Sequence, residues 1–230
     1  MPPTARDRVR AELTAEIIDA ARRQLAEVGG AALSLRAVAR ELGMASSALY
    51  RYFPSRDDLL TRLIIDGYAD LGSAAEVADP VSAPPEERWL AVCRAVRGWA
   101  LTHPHEYALL YGTPVPGYRA PADTVAEASR VGVVLGRILG DAARAGALPP
   151  SDEGRDRGLV SDEAVDVLGG EHPSLDDGVR VRALLAWSAV YGTISFELFG
   201  HFVGSVADGD RFFDRAMSEL AGLIGLTARP

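Results

Sequence analysis

A cluster of five polar or amphipathic side chains in the first quarter of the chain has the chemistry needed to bind a nucleic acid. The cluster comprises Ser46, Ser47, Tyr50, Arg51 and Tyr52. Hydroxyl and guanidinium groups at helical spacing can donate hydrogen bonds to base edges in a major groove. Arginine also makes good bidentate contacts with guanine and phosphate. These residue types therefore suit recognition of duplex DNA.

Two short predicted helices place this cluster on a surface. Ser34 can cap the first helix, and Gly43 can end it because glycine adopts a positive φ without strain. Ser46 can cap the second helix, in which Leu49 and Phe53 face inward. The inward positions of the first helix are Leu35, Val38, Ala39 and Leu42. This spacing predicts a helix-turn-helix unit with the polar cluster on its second helix.

Longer helices are predicted on both sides of this unit. An apolar stripe over 13–28 predicts a helix that stops at Gly29-Gly30, where glycine can take the left-handed cap. Ser55 followed by Asp58 resembles a capping box and predicts a further helix over about 56–73.

Arginines flank the predicted second helix of the unit. Arg36 stands near the start of the preceding helix and Arg56 at the start of the next one, which are positions that duplex backbones pass. Helix N-termini also favour phosphate. The arm Arg6-Asp7-Arg8-Val9-Arg10 offers two alternatives, a contact in an adjacent minor groove or a disordered tail.

Residues 13–63 resemble the DNA-binding domain of the TetR/AcrR family of bacterial transcriptional regulators. The matching features are Ser34, Ala39-Arg40-Glu41-Leu42-Gly43, Leu49-Tyr50-Arg51-Tyr52-Phe53 and Ser55-Arg56-Asp57-Asp58-Leu59-Leu60. The resemblance implies that phosphate contacts come from Ser34, Tyr50 and Arg56. It implies that base-edge contacts come from Arg36, Ser46, Ser47, Arg51 and Tyr52. Ala48 departs from a commoner glycine or threonine, and Arg56 replaces the usual lysine.

A second resemblance lies in the middle of the chain. The segment Trp99-Ala100-Leu101-Thr102-His103-Pro104, followed by Tyr107 and Tyr111-Gly112, is similar to the tryptophan-histidine-glycine subgroup of TetR-like C-terminal domains. Aromatic rings and a histidine near one helix break can line a mostly apolar pocket, and a packing role alone is the alternative. The predicted ligand-binding residues are Trp99, His103, Tyr107 and Tyr111. We expect the ligand to be a small, largely apolar effector.

The rest of the chain is predicted to be helical between a few clear breaks. A proline-rich loop at 78–85 precedes a helix that ends at His103-Pro104. A short helix to Gly112 follows, and another is predicted over 123–145. Since no long run alternates apolar and polar residues as half-buried strands do, the chain is predicted to be all-α.

The apolar stretch 183–206 contains one formally charged residue, Glu197. A membrane span is disfavoured because residues such as Ser188 and Tyr191 are costly in hydrocarbon and no second span accompanies them. A helix that is apolar on all sides, followed by another over 210–226, favours an intersubunit four-helix bundle, and a core helix within a monomer is the alternative. The predicted interface residues are Leu185, Ala189, Gly192, Phe196, Phe199, Phe213, Met217 and Leu220.

Charge is distributed unevenly along the 230 residues. The net charge is −8, all 24 basic residues are arginine, and residues 1–60 hold nine arginines against eight acids. The stretch 148–178 holds two arginines against nine acids. Because it lacks the spacing of a calcium loop, we expect it to be a solvated or partly disordered connection. The acidic balance therefore leaves the N-terminal quarter able to meet DNA.

Catalysis has little support in the sequence. His103-x-His105 with Glu106 lacks the i, i+4 spacing of helical metal ligands, and no HExxH, CxxC or GxSxG motif accompanies it. We expect neither a metal nor a cofactor. A metal-dependent enzyme and a helical interaction protein that does not bind DNA are the alternatives, and salt-dependent retention on duplex DNA separates them from a regulator.

Together these features predict an all-α protein with two domains. Residues 1–60 form a three-helix, helix-turn-helix DNA-binding domain, and residues 61–230 form a larger TetR-like bundle for ligand binding and dimerisation. The single cysteine, Cys93, and the absence of a leader favour the cytoplasm. We expect a homodimer, outside any membrane, that represses transcription from a pseudo-palindromic duplex operator and releases it when the effector binds.

Overall fold

The computed structural model describes residues 4–149, 153–161 and 175–227, and every regular element in these ranges is helical. The all-α prediction is therefore confirmed. The helices are α1 (Ala5–Ala32), α2 (Leu35–Glu41), α3 (Ser46–Leu49), α4 (Arg56–Ala78), α5 (Pro85–Thr102), α6 (Pro104–Tyr111), α7 (Val125–Ala128), α8 (Arg130–Arg144), α9 (Glu153–Asp156), α10 (Asp177–Leu198) and α11 (Gly209–Ile224), with a 3₁₀ turn at Ala122–Thr124.

The helices cluster into two compact units. The first unit comprises the chain up to Tyr68 together with His103–Val125. The second unit comprises Ala69–Thr102 together with the chain from Ala126 onward. Residues 103–125 thus pack with the N-terminal helices, whereas the sequence predicts that they belong to the C-terminal domain.

An apolar core holds the first unit together. Val38 of α2, Leu49 of α3 and Leu60 of α4 are all fully buried in it. Leu109 and Val115 pack against the same core, and α6 contacts α1. These long-range apolar contacts explain why the 103–125 segment belongs to this unit.

α1 begins earlier than predicted because Thr4 and Asp7 form a capping box. The Thr4 hydroxyl accepts from the Asp7 amide at 3.2 Å, and the Asp7 carboxylate accepts from the Thr4 amide at 3.0 Å. Residues 5–10 are consequently helical, so neither a disordered tail nor an extended arm describes them. The predicted stop at Gly29 is a kink with φ of 71°, after which the helix is resumed to Ala32.

The turn between α2 and α3 forms at Gly43, whose φ of 65° confirms the predicted positive value. Ala45, and not Ser46, is the N-cap of α3, which has four residues. The chain then continues in tight turns to Phe53, whose amide donates to the Leu49 carbonyl at 3.1 Å. α3 is therefore shorter than predicted, and Pro54 disfavours helical backbone at Phe53, where the predicted helix ended.

α5 is the central helix of the second unit and contacts α8, α10 and α11. Trp89 is 2% exposed, and its Nε1 donates to the carbonyl of Met217 at 2.9 Å. Cys93 is buried on α5 as well, and burial raises the pKa of its thiol. Cys93 is therefore a small core residue and not a reactive one.

Arg88, near the start of α5, makes a buried ion pair that no local sequence pattern signals. Its Nε and Nη2 donate to the two carboxylate oxygens of Asp79 at 2.7 and 2.8 Å, and its Nη1 donates to Asp141 at 2.6 Å. The side chains of Arg88 and Asp79 are 3% and 2% exposed. This network ties the proline-rich loop between α4 and α5 to α8.

The single helix predicted over 123–145 is divided into the 3₁₀ turn, α7 and α8. α8 begins at Arg130, whose guanidinium lies across α4. It donates to both carboxylate oxygens of Glu76 at 2.8 and 2.7 Å and to the Ala69 carbonyl at 3.0 Å. Its Nη1 also donates to Glu127 of α7 at 2.9 Å, so these contacts join the start of α8 to both α4 and α7.

α10 ends at Leu198, and Gly200 follows with a φ of 78°. The predicted helix through Val206 is therefore too long. The buried face of α10 comprises Ala183, Ala186, Val190 and Ile194. None of the described helices combines the length and the apolar character that crossing a bilayer requires. Much of the predicted acidic connection 148–178 lies outside the described residues.

Candidate nucleic-acid interface

α3 and the turn after it, residues 46–52, are called here the α3 segment, and this segment presents three of the predicted contact residues to solvent. Ser47, Tyr50 and Arg51 are exposed, while Leu49 between them is fully buried in the core. The core therefore holds the backbone of α3 while its polar side chains point outward, as a helix that reads a groove requires. Arg36 on α2 is exposed as well.

The other predicted contact residues on α2 and α3 are half-buried. Ser34 takes the N-cap position of α2, but its side chain makes no cap hydrogen bond. Ser46 is the first residue of α3. Tyr52 packs partly against the core of the first unit. Each of these three side chains is partly exposed to solvent.

Arg10 of α1 contacts the end of the α3 segment, at Arg51 and Tyr52. The sequence did not predict this contact. Its guanidinium carbon is 5.1 Å from the centre of the Tyr52 ring, within the range of a cation–π interaction. Its Nη2 is 3.5 Å from the carbonyl oxygen of Arg51. The arginines in the first turns of α1 are the sequence feature that could have indicated this contact.

Arg56 has a structural role within the first unit, and its predicted phosphate contact stays a prediction. Its Nε donates to the Leu33 carbonyl at 3.2 Å, and its Nη2 donates to the carbonyls of Gly30 and Ala31 at 2.8 and 2.9 Å. These carbonyls lie where α1 ends and backbone acceptors lack helical partners. The Arg56 side chain is 30% exposed, and its Nε and Nη2 are occupied by these carbonyls.

The four predicted ligand-binding residues divide between the two units. Trp99 lies in the second unit and is 7% exposed, whereas His103, Tyr107 and Tyr111 lie in the first. Tyr107 is fully buried, and its ring centre is 5.1 Å from that of Tyr111. Tyr68 of α4 was not predicted; its ring meets Tyr111 edge-on at 6.0 Å, and burial raises the pKa of its hydroxyl.

The predicted dimer-interface residues differ in how deeply the second unit buries them. Phe213 and Met217 of α11 are 1% and 0% exposed inside the second unit, so the prediction that they contact a partner is wrong. The apolar face of α11 packs instead on α5 and α10. Leu220 is half-buried. The remaining five residues share one face of α10, called here the α10 stripe: Leu185, Ala189, Gly192, Phe196 and Phe199.

A mostly apolar cavity of about 200 Å³ lies where α10 connects to α11. Phe202, Val203 and Phe212 line it, together with Glu197, whose carboxylate pairs with Arg97 at 2.6 Å. The volume is below the roughly 300–1,000 Å³ of typical small-molecule sites. Within the described ranges, no three His, Cys, Asp or Glu side chains come together as metal ligands.

Sequence profiles of known families match most of the chain. A profile described as "Tetracyclin repressor-like, C-terminal domain" matches residues 89–220, and one described as "Bacterial regulatory proteins, tetR family" matches residues 17–63. The HTH-type transcriptional regulator Rv1816 of Mycobacterium tuberculosis is 43% identical over 206 residues, which cover 84% of this chain and 83% of the relative. The chain belongs to the TetR family.

Solved structures agree with this assignment to the TetR family. The regulatory protein SCO4313 is 37% identical with a TM-score of 0.79, and the match covers 95% of this chain and 100% of that one. RolR, solved in complex with resorcinol, shares the fold at 17% identity and a TM-score of 0.54, over 97% of this chain and 96% of its own.

The protein is therefore a TetR family transcriptional regulator that binds DNA through its N-terminal helix-turn-helix, and its role is not enzymatic. The C-terminal profile matches the general tetracycline repressor-like domain. Membership of the tryptophan-histidine-glycine subgroup stays a prediction.

Proposed function

We propose that this TetR family regulator is a cytoplasmic, ligand-responsive repressor that binds a pseudo-palindromic operator as a homodimer. The exposed side chains of the α3 segment, residues 46–52, carry the proposal. Ser47, Tyr50 and Arg51 surround a fully buried Leu49, so folding accounts for the leucine but not for its polar neighbours. A major groove about 12 Å wide accepts a helix of this diameter.

In this proposal the contacts divide by position on the helix-turn-helix. Arg51 is the principal base-reading residue because its exposed guanidinium can bind guanine in a bidentate manner. The other proposed base contacts are Arg36, Ser46, Ser47 and Tyr52. Ser34 and Tyr50 contact phosphates and set the register of α3 in the groove.

The α10 stripe supports a homodimer. Leu185, Phe196 and Phe199 are 55%, 52% and 46% exposed, although the opposite face of α10 is buried in the core. Large apolar side chains repeated on one exposed helix face mark an interaction surface. A second copy that presents the same stripe buries both, and Leu220 of α11 lies at the edge of this interface.

We propose that the effector binds in the first unit beside His103 and Tyr111, which are both half-buried. The ring cluster of Tyr68, Tyr107 and Tyr111 supplies an apolar wall with hydroxyl groups that can orient a small ligand. RolR, a fold neighbour, holds a small phenol. Trp99, buried in the second unit, fits the packing alternative.

Release follows from the geometry of a two-fold operator. Two copies of α3 must lie about 34–36 Å apart to read successive major grooves. A ligand that binds more tightly to a dimer with a different distance between its two copies of α3 shifts the population away from the dimer that binds DNA. A tenfold loss of operator affinity requires about 1.4 kcal/mol of difference in ligand affinity between the two states.

The test begins with duplexes selected by the full-length protein from a random pool. Resorcinol and a panel of related phenols and hydrocarbons are then screened for compounds that raise the melting temperature. We expect such a compound to lower the fluorescence anisotropy of labelled operator bound to the protein, and Tyr111→Ala to weaken this response while DNA binding is retained. Compounds that stabilise the protein but leave operator affinity unchanged would contradict a ligand-responsive repressor.

A further inference from the structure

We infer that Arg10 and Arg6 of α1 form a second DNA contact, on the phosphate backbone beside the major groove that α3 enters. The inference rests on the proposed placement of α3 in that groove. Arg10 stacks on Tyr52 at 5.1 Å and lies 3.5 Å from the Arg51 carbonyl, so its guanidinium is held beside the end of the α3 segment. Both arginines are exposed.

The dimensions of the groove direct Arg10 to phosphate. A helix with its side chains is about 10–12 Å across and fills a major groove about 12 Å wide. A guanidinium that lies beside the reading segment, and not on it, therefore meets the wall of the groove, which is the phosphate backbone. Stacking on Tyr52 leaves the planar edge of the Arg10 guanidinium, with its N–H donors, open to a phosphate oxygen.

Arg6 extends this contact by one helical turn. Residues four apart lie on the same face of an α-helix, so Arg6 stands on the same side of α1 as Arg10 and about 6 Å further along the axis. The capping box makes this position rigid, because Thr4 and Asp7 bond each other through backbone and side chain. The same bonds lower the pKa of Asp7 and occupy its carboxylate within the cap.

The helical backbone also excludes the minor groove as the site of this contact. Arms that read a minor groove are extended chains that lie along its floor. Here residues 5–10 are helical and begin at a complete cap, so their side chains project from a cylinder too wide for a groove of about 6 Å. The phosphate backbone remains as the partner within reach of Arg10 and Arg6.

Arg8 provides a matched control for the test. It lies on the same two turns of α1 and is also exposed, but at 100° per residue it points away from the face of Arg6 and Arg10. Arg8→Gln, Arg6→Gln and Arg10→Gln make the same change in net charge. General electrostatic attraction to DNA falls equally in all three variants, so a difference between them reports a specific contact.

The experiment measures the affinity of the full-length protein for a selected duplex and a random duplex as a function of salt. The logarithm of the DNA association constant falls linearly with the logarithm of the salt concentration. We expect Arg10→Gln and Arg6→Gln each to reduce the steepness of this line by about one. Near 0.15 M salt this corresponds to about fivefold weaker binding to both duplexes. Arg8→Gln should keep the wild-type slope, and Arg10→Lys should keep most of it.

Three outcomes overturn the inference. Arg10→Gln and Arg6→Gln with the same slope as Arg8→Gln show that α1 makes no phosphate contact. A changed preference for the selected duplex with an unchanged slope shows that Arg10 acts only by positioning Tyr52. A lowered unfolding midpoint in Arg10→Gln, with Arg6→Gln unchanged in slope, assigns Arg10 a structural role. Arg51→Ala is measured in parallel, and its failure to affect binding would contradict the proposed role of α3 instead.

Discussion

The guanidinium of Arg56 donates to the carbonyl of Gly30 at 2.8 Å and so joins the start of α4 to the end of α1. Further bonds from the same side chain reach Ala31 and Leu33. The final carbonyls of a helix lack internal donors, and here one arginine supplies donors to three of them. These bonds hold the start of α4 against the end of α1 within the first unit.

Arg56→Ala should lower the free energy of unfolding by about 1.5 kcal/mol, because a charged donor to partly buried carbonyls is lost. The salt dependence of DNA binding by the folded variant should match that of the wild type. Arg36→Ala is the control, since Arg36 is exposed and should change stability by less than about 0.5 kcal/mol. Urea unfolding and DNA titrations check both. A fully stable Arg56→Ala with a reduced salt slope would show instead that Arg56 is a phosphate ligand.

Gly72→Ala should destabilise the second unit by about 1–3 kcal/mol, because Arg130 leaves no room on α4. A Cβ on Gly72 would lie 2.7 Å from the Cβ of Arg130. Gly98→Ala is the matched control: no described atom lies within 4 Å of its added Cβ, so alanine should stabilise α5 by about 0.5–1 kcal/mol. Urea unfolding of the two variants should give opposite signs, and equal changes would show that Arg130 does not restrict Gly72.

Arg88→Met should cost about 3–5 kcal/mol of unfolding free energy, because it leaves the Asp79 carboxylate buried without its partner. Arg94→Met is the control. Arg94 lies on the same helix and makes bonds of 2.7 and 3.0 Å to both oxygens of Asp214, but its side chain is 55% exposed, so we expect a loss of at most about 1 kcal/mol. Similar losses of unfolding free energy in the two variants would mean that the contribution of the Arg88–Asp79 pair to stability does not depend on its burial.

Phe196→Arg should convert the proposed homodimer to monomer, because it places a charge within the apolar α10 stripe. Val77→Arg is the control, since Val77 is 88% exposed on α4 and lies outside the stripe. Sedimentation velocity distinguishes the two states. A dimer that persists in Phe196→Arg with wild-type affinity would place the interface on another surface.

The helix-turn-helix could be predicted because its information is local. The apolar spacing of α2, the positive φ at Gly43 and the inward positions of Leu49 and Phe53 are all set by residues close in sequence. Sequence alone also separated these inward side chains from Ser47 and Arg51, because a helix with a 3.6-residue period has a distinct outer face.

Long-range contacts could not be predicted in the same way. The bonds of Arg56 reach residues 23 to 26 positions away, and Arg88 meets Asp141 across 53 positions. No periodic pattern encodes such pairs. The position of Arg56 at a helix start and the family resemblance both indicated a phosphate contact, and neither indicates the backbone carbonyls that its guanidinium binds within the same unit.

The choice of the exposed face on α10 and α11 also required the tertiary structure. Both sides of α10 are apolar in sequence, so its pattern does not tell core from interface. In the structure Ile194 faces the core and Phe196 faces solvent. Phe213 and Met217 were assigned to the interface because they are apolar, but the packing of α11 on α5 buries them within one protomer.

The central claim is that the exposed side chains of the α3 segment, residues 46–52, read base edges, and Arg51→Ala tests it most directly. Affinities of the full-length protein are measured near 0.15 M salt for a selected duplex and for a scrambled duplex of the same composition. The control is Arg40→Ala, which removes an exposed arginine from the last turn of α2.

We expect the wild type and Arg40→Ala to prefer the selected duplex by about a thousandfold or more. Arg51→Ala should reduce that preference by about 1–3 kcal/mol, or roughly 5- to 150-fold. A wild-type protein that binds both duplexes equally, or an Arg51→Ala variant that keeps the full preference, would contradict the claim.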